Sequence, residues 1–349
     1  VGDISSLANV RQRDSPRESP SPLETVVKQR VALAIGHELK AVEAALAEQL
    51  DSSVSLIREM SKLGAGAGGK RLRPVLLLLA ARVAGYRGPR AVRMSCVVEL
   101  LHTATLVHDD VVDKALLRRG RPSINARWGP DAAVLFGDHL YAKSLALMLE
   151  DGDRDVLETL ARATVSMTEA EVLQLQLKRS MTTCETDYLQ IVTQKTASFM
   201  SACCRIGALL GNCESDRLKC ITRYGLDLGI AFQICDDSLD FVADEIRLGK
   251  SMGADLREGR WTLPLIAMLK RAACSERERV LSLLKVGHLG GGELEEIRCL
   301  VVRHGGVDYA LERARDYARA AKESLRRFAD SEDKETLKLI ADFAVERDH

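Results

Sequence analysis

The chain has 349 residues, 46% of them hydrophobic, enough apolar material for one large core or two ordinary ones. Lys plus Arg and Asp plus Glu both number 50, so the formal net charge is zero, which argues against binding nucleic acid through a basic footprint. No uninterrupted apolar run reaches membrane-spanning length, no secretory leader pattern is visible, and the nine cysteines are scattered without a C-x-x-C; together these predict a cytoplasmic protein with reduced thiols.

In chain order, residues 1–22 are rich in Ser, Pro, Arg and Asp, with Pro16, Pro20 and Pro22, and read as a mobile tail. Residues 23–349 read as one helical domain. Val26 to Leu50 carries apolar residues three and four apart, the pattern of an amphipathic helix, and Ser53 to Leu63 predicts a shorter one. Gly64 to Gly85 begins with glycines that make a turn, and Pro74 suits the first turn of the apolar helix that follows. Lys70, Arg71 and Arg73 cluster at that helix start. Free N–H groups there attract anions, and a mobile Lys with a forked Arg would complete a diphosphate cradle. Taken alone, the same cluster also reads as basic residues in solvent.

Glu99 to Arg121, ELLHTATLVHDDVVDKALLRRGR, places Asp109, Asp110 and Asp113 at the end of a long apolar-periodic run. Residues four apart share a helical face, so Asp109 and Asp113 point the same way and repel. A hard cation would remove that penalty, and Mg²⁺ is typically held by one or two carboxylates plus substrate phosphate oxygens. Alone, this cluster serves equally as a solvated acidic face. Arg118 and Arg119 follow in a loop beyond the carboxylates, where they could meet phosphate groups. Asp131 to Glu150 predicts a helix containing Gly137–Asp138. Asp153 to Lys178 predicts another, whose QLQLK stretch has the polar spacing of a site lining. In the helix predicted from Glu185 to Gly211, Lys195 and Thr196 interrupt apolar sequence; Lys195 either meets an anion or snorkels to water.

The acidic spacing then recurs. Gly229 to Phe241, GIAFQICDDSLDF, carries Asp236, Asp237 and Asp240 behind a second apolar run. Two such helices face to face would form an acidic rim above an apolar cavity, able to hold several Mg²⁺ ions and a diphosphate. Lys250, Asp255 and Arg260 follow in a glycine-punctuated loop, with Pro264 near the start of another helix. Helical patterns over 275–286, 293–303, 307–328 and 332–345 complete the chain. No alternating strand of useful length is present. The expected fold is all-α, about a dozen helices in a single bundle around a deep apolar cavity.

The ordered set GGKRLRP, HTATLVHDDVVD with RRGRPS, GD, KTA, GIAFQICDDSLDF and GKSMGADLREGRWTLPL resembles the all-trans polyprenyl diphosphate synthases, isoprenoid synthases with two aspartate-rich motifs. The resemblance runs from about Lys28 to the last helix and looks most like the medium- and long-chain members that make quinone side chains. It implies a homodimer, with three Mg²⁺ per active site. By resemblance, Asp109, Asp113 and Asp236 lead in binding metal, while Asp110, Asp237 and Asp240 act directly or through water. Arg118, Lys195, Lys250 and Arg260 would hold the allylic diphosphate. Lys70, Arg73, His102 and Arg119 would hold isopentenyl diphosphate, and Thr196 and Gln233, with Lys195, would face the reacting carbons. Arg260 stands where the family more often has Lys, and Trp261 where Pro is common; both bear on how that loop closes. His108 receives no role.

The implied reaction is ionisation of the allylic C–O bond with metal assistance, attack by the isopentenyl double bond, and proton loss to the departing diphosphate, in a site kept dry. Ala104 and Thr105 lie about one turn, roughly 5.4 Å, below the first motif. They are small where short-chain members carry a bulky floor, so a deeper floor is expected at Phe199, Met200 and Cys203. The alternatives are a short-chain farnesyl or geranylgeranyl synthase, a metal-dependent terpene cyclase and a non-catalytic subunit. The cyclase would not need the cradle of Lys70, Arg73 and Arg119, and the subunit should have lost carboxylates. A peripheral membrane association is expected to serve product release.

Overall fold

A computed structural model describes residues 21–65, 71–118, 120–178, 183–242, 253–286 and 289–346. Residues 1–20, and the expected ligand contacts Lys70, Arg119 and Lys250, lie outside the described residues. Pro22, assigned above to the tail, instead opens the first helix, α1 (Pro22–Gln49). A proline at the first helical position gives up an N–H that has no intrahelical partner anyway. The preceding Ser21 caps the helix, its Oγ accepting from the Glu24 N–H at 3.1 Å.

Helices α2 (Ser55–Ala65), α3 (Leu72–Val83) and α4 (Arg90–Val112) follow. A two-residue antiparallel ladder then pairs β1 (Leu117–Arg118) with β2 (Arg121–Pro122), in register Leu117 to Pro122 and Arg118 to Arg121. No strand was expected here; the ladder is a tight turn that reverses the chain just beyond the first acidic motif. Next come α5 (Ile124–Trp128), α6 (Pro130–Asp151), α7 (Arg154–Leu177) and α8 (Glu185–Val192). The expected single helix over 185–211 is broken by a π-helical turn, Thr193–Ala197, before α9 (Ser198–Leu210). The long α10 (Ser215–Val242) ends in the second motif. Beyond it lie α11 (Ala254–Arg257), α12 (Leu263–Arg271), α13 (Cys274–Val286), α14 (Gly291–Arg303), α15 (Gly306–Ser324), a 3₁₀ turn (Leu325–Arg327) and α16 (Glu332–Val345).

The core forms because α3 is apolar all round. Eight consecutive residues, Pro74 to Ala81, are buried, the signature of a central helix. It packs on α9, α9 packs on α10, and α10 packs on α15, while α4 lies against α6. The principal apolar cluster joins α1, α3, α4, α6, α7, α9, the first half of α10 and α16. Smaller clusters support the second motif from α12 to α15.

Two glycines set the helix spacing near the site. A Cβ on Gly137 of α6 would overlap the His108 ring of α4. That ring donates from Nε2 to the Val134 carbonyl at 3.2 Å and lies 3.4 Å from Asp138 Oδ1. His108 and the Gly137–Asp138 pair therefore clamp α4 to α6. A Cβ on Gly229 would sit 2.5 Å from Ala197 Cα, so glycine is needed where α10 crosses the π turn.

Helix α6 is long and apolar enough, by length and composition, to cross a membrane, but it packs on α4 and is 39% buried over its most apolar stretch. Leu135, Leu145 and Leu149 on α6, with Val165 and Val172 on α7, remain exposed. All nine cysteines are free thiols.

Candidate active site

Both acidic motifs fall on the last turns of their helices, Asp109 and Asp110 within α4 with Asp113 as its C-cap, and Asp236, Asp237 and Asp240 within α10. A helix C-terminus carries the negative end of the backbone dipole. Carboxylates there are unfavourable unless cations answer them, and the molecule supplies several. Arg118 reaches back from β1, with Nε donating to both oxygens of Asp110 at 2.8 Å. Asp110 is buried while the Arg118 side chain is 34% exposed, so the pair is screened from the arginine side only. Arg260 holds Asp113 at 2.5 Å and lies 3.5 Å from Asp255, while Lys178 stands 3.5 Å from Asp113.

The second motif divides in three. Asp236 is exposed at the mouth. Asp237 is buried and accepts from the Tyr188 hydroxyl at 2.6 Å and the Gln233 amide at 2.7 Å. Asp240 is buried and accepts from the backbone N–H groups of Ala254 and Asp255 at 3.3 and 3.1 Å, tying the start of α11 to α10. Asp113, Arg260, Asp255 and Asp240 thus form a continuous bridge between the motifs.

Between them lies a small open cleft of about 80 Å³, whose lining includes Gln174, Lys178, Tyr188, Lys195, Thr196 and Gln233. The π turn brings Lys195 and Thr196 onto it together. One turn with i to i+5 bonding, seen in the Ser198 N–H to Thr193 carbonyl bond, widens the helix, a feature frequent at functional sites. Thr196 Oγ1 donates to Gln233 Oε1 at 2.8 Å, and Gln233 passes the chain on to Asp237. Lys195 meets an anion rather than reaching into water: it pairs with Glu171 and donates to Gln174 Oε1 at 3.3 Å.

Burial and neighbouring carboxylates raise one acid of each motif. Burial, then the neighbouring Glu171, push the Asp109 carboxyl up to about 6 against the opposing pull of Lys195. Burial and the nearby Asp255 hold Asp237 well above the usual carboxylate range, although Tyr188 and Gln233 oppose the shift. Among the described residues, no group of three or more His, Cys, Asp or Glu stands close enough to hold a metal ion. The donors are hard carboxylate oxygens, and Asp109 is raised by burial and like charge. That donor set fits a hard divalent cation bound together with an anionic substrate.

The remaining expectations are placed as follows. Arg73 lies with its guanidinium carbon 5.5 Å from the Phe199 ring centroid, on the α3–α9 side, and His102 is half-buried on α4. Ala104, Phe199, Met200 and Cys203 are each 1% exposed or less and belong to the principal core cluster. Ala104 is closely packed there, and Phe199 carries Arg73 on its face. Thr105 is half-buried, its hydroxyl donating to the His102 carbonyl at 2.8 Å.

Sequence reasoning did not name Glu171, Tyr188 or Lys178 individually. The QLQLK spacing did point to the wall that bears Gln174 and Lys178. Tyr188 sits seven residues before Lys195, about two helical turns, a spacing that sets both toward one side of the helix.

Residues 54–298 match the family described as Polyprenyl synthetase. The chain is 36% identical over 311 residues to the octaprenyl diphosphate synthase of Escherichia coli (strain K12), covering 89% of this chain and 96% of that protein. It is 34% identical over 314 residues to the short chain isoprenyl diphosphate synthase of Methanothermobacter thermautotrophicus, covering 86% and 95%. The polyprenyl synthase of Caulobacter crescentus CB15, solved with calcium and isoprenyl diphosphate, superposes with a TM-score of 0.89 at 36% identity, over 95% of this chain and 99% of that one. With the two acidic helix ends, the Lys195–Thr196 turn and Gln233 gathered at one cleft, the chain belongs to the polyprenyl synthetase family and is a prenyltransferase.

Proposed function

We propose that this protein condenses isopentenyl diphosphate with an allylic prenyl diphosphate to give an all-trans polyprenyl diphosphate of medium or long chain. The observation that carries this reading is the cleft itself, with acidic motifs at two helix ends and Lys195, Thr196 and Gln233 between them. Asp109, Asp113 and Asp236 would hold Mg²⁺, three ions per site with substrate bound, and Asp110, Asp237 and Asp240 would support them. When bound, Mg²⁺ supplies Lewis-acid neutralisation of the leaving diphosphate.

The chain's own residues account for the rest. Arg118, Lys195 and Arg260, with Lys250, bind the allylic diphosphate and orient its C–O bond. Arg73 and His102, with Lys70 and Arg119, bind the isopentenyl diphosphate. When the C–O bond breaks, its electron pair leaves with diphosphate. The hydroxyl oxygen of Thr196 and the Gln233 amide oxygen present partial negative charge to the allylic cation, with the amide oriented by Asp237. The isopentenyl double bond supplies the pair that forms the new C–C bond, and a proton passes to the departing diphosphate. Trp261 and Leu177 on the cleft wall exclude water.

Support for a longer product comes from likeness to an octaprenyl synthase. Likeness to a short-chain synthase keeps farnesyl or geranylgeranyl length as the second reading. In the proposed homodimer, the exposed apolar face of α6 and α7 is covered by a second copy, since a patch of this kind commonly marks an interaction surface. A cytoplasmic enzyme touching the membrane peripherally to release product completes the proposal.

Purified protein given isopentenyl diphosphate and geranyl or farnesyl diphosphate, with product chromatography, tests it. A ladder beyond geranylgeranyl length that vanishes with EDTA is expected. A ladder ending at farnesyl or geranylgeranyl length selects the second reading, consumption of the allylic substrate without isopentenyl diphosphate selects a cyclase, and no turnover of either selects a non-catalytic subunit.

A further inference from the structure

Arg71 caps the start of α3, two residues before the candidate cradle residue Arg73, and its side chain reaches Glu43 and Glu99. Its backbone is left-handed, φ 48° and ψ 33°, at the N-cap of α3, where its carbonyl accepts from the Val75 N–H at 3.0 Å. A long side chain in that conformation is uncommon and persists only where its surroundings enforce it.

What enforces it is a clamp of two carboxylates from two other helices. Nε and Nη2 of Arg71 donate to the two oxygens of Glu43 on α1, at 2.6 and 3.1 Å. Nη1 donates to Glu99 on α4 at 2.6 Å. The Arg71 side chain is 17% exposed and that of Glu99 only 7%, so neither charge is well solvated and each needs the other. The forked geometry suits this double use in a way that a lysine point charge does not. Glu99 lies one turn before His102 on α4, and Arg71 lies two residues before Arg73 on α3. The two helices that present the second-substrate contacts are thus tied together at the level of those contacts.

We infer that Arg71, through Glu43 and Glu99, is a positioning residue that fixes the start of α3 against α4 and so pre-shapes the isopentenyl diphosphate cradle. This deepens the reading in which Arg73 and His102 bind that substrate, and it rests on it. Arg71 touches no reacting atom. Its contribution is pre-organisation: with the clamp intact, Arg73 and His102 need no ordering when the diphosphate arrives.

The test measures steady-state constants for both substrates and calorimetric affinity for isopentenyl diphosphate in full-length Arg71→Gln, Arg71→Lys, Arg71→Gly, Glu43→Gln and Arg73→Ala. Arg71→Gln is expected to raise the isopentenyl Michaelis constant and dissociation constant roughly tenfold, the scale of a misplaced contact, while the allylic constant moves less than about twofold. Arg71→Lys should recover part of the loss. Arg71→Gly keeps the left-handed backbone without strain but loses the clamp, and should behave like Arg71→Gln. Glu43 is half exposed, so Glu43→Gln is the variant least prone to misfolding and decides the matter if Arg71→Gln fails to fold; a selective isopentenyl defect supports the proposal. Equal rises in both constants, or a lowered melting temperature with both constants unchanged, overturn it in favour of a purely structural tie. If Arg73→Ala is defective for isopentenyl diphosphate and Arg71→Gln is not, the positioning role is wrong and the cradle stands. If Arg73→Ala is also silent, the cradle assignment falls with it.

Discussion

Replacing Gly229 by alanine should separate the geometry of the cleft from the stability of the bundle. The added Cβ would lie 2.5 Å from Ala197 Cα and 2.9 Å from Ala197 Cβ. Carbon atoms rest at about 3.5–4.0 Å, so α10 and the π turn must part by about 1 Å. Thr196 is the neighbour of Ala197, and its hydroxyl bond to Gln233 is 2.8 Å long. An added ångström stretches that bond past any useful length, and the Gln233 carbonyl loses its fixed aim. Overpacking of this kind costs ~1–3 kcal/mol, while a misplacement of ~1 Å near a reacting centre costs on the order of 10² in rate. The control is Gly225→Ala, one turn earlier on α10. Its Cβ would meet the Met200 carbonyl and Ser201 Cα, each at 2.8 Å, on α9 rather than on the π turn. Both variants should melt several degrees lower, but only Gly229→Ala should lose about 10² in turnover at saturating substrate. Wild-type turnover in a folded Gly229→Ala protein would refute the claim that this crossing sets the Thr196–Gln233 pair.

Three further outcomes can be checked. Asp109→Ala should lower turnover by at least ~10²-fold, as expected for a lost electrostatic contact, while leaving the melting temperature equal or higher, because burial with like-charged Glu171 and Asp113 outweighs the pull of Lys195 and Arg118; a large fall in melting temperature would show that Asp109 is structural. Ala104→Phe should destabilise the core by ~1–3 kcal/mol without shortening the products of the folded fraction, since Ala104 is 1% exposed; products cut to farnesyl or geranylgeranyl length would show that the core opens around the growing chain. Asp151 is held below the usual carboxylate range, first by its hydrogen bonds from Arg90 at 2.8 and 2.6 Å. Its stabilising share is therefore complete above the unfolded value of about 3.9 and disappears as pH falls through the lower folded value. Asp151→Asn should accordingly melt lower than wild type at neutral pH, with the gap closing in acid; a gap unchanged at low pH would contradict the assignment.

Much of the site was legible because its chemistry requires particular residues at fixed spacing. The two aspartate triplets each announced a helix end, and α4 and α10 do end there. Lys195 in apolar sequence left a choice between an anion and water, and its pairing with Glu171 decides it. Less legible was anything decided by contact between distant elements. Nothing in the order of residues shows that Arg118 folds back on Asp110, or that Arg260 crosses to Asp113, because both pairings depend on loop geometry. The Gly137–Asp138 pair and His108 looked like separate curiosities, yet each explains the other once α4 lies on α6. A small residue one turn below the motif signals either space or tight packing, and only the neighbours decide which.

The widened turn at Thr193–Ala197 also changes how this stretch must be aligned. An ordinary α-helix rotates by about 100° per residue, following 3.6 residues per turn. The π turn absorbs one surplus residue, so the segments on either side keep independent registers: α8 buries Tyr188 and Val192, and α9 buries Phe199, Met200 and Cys203. Deleting a single residue between 193 and 197 would restore a regular helix with both of those sets still packed, but would remove the bulge that carries Lys195 and Thr196 onto the cleft. Spacing between Tyr188 and the Lys195–Thr196 pair is consequently as much a part of the site as the residues themselves. A relative in which that interval differs by one cannot be assumed to present the same side chains to its cleft, however well the flanking helices match.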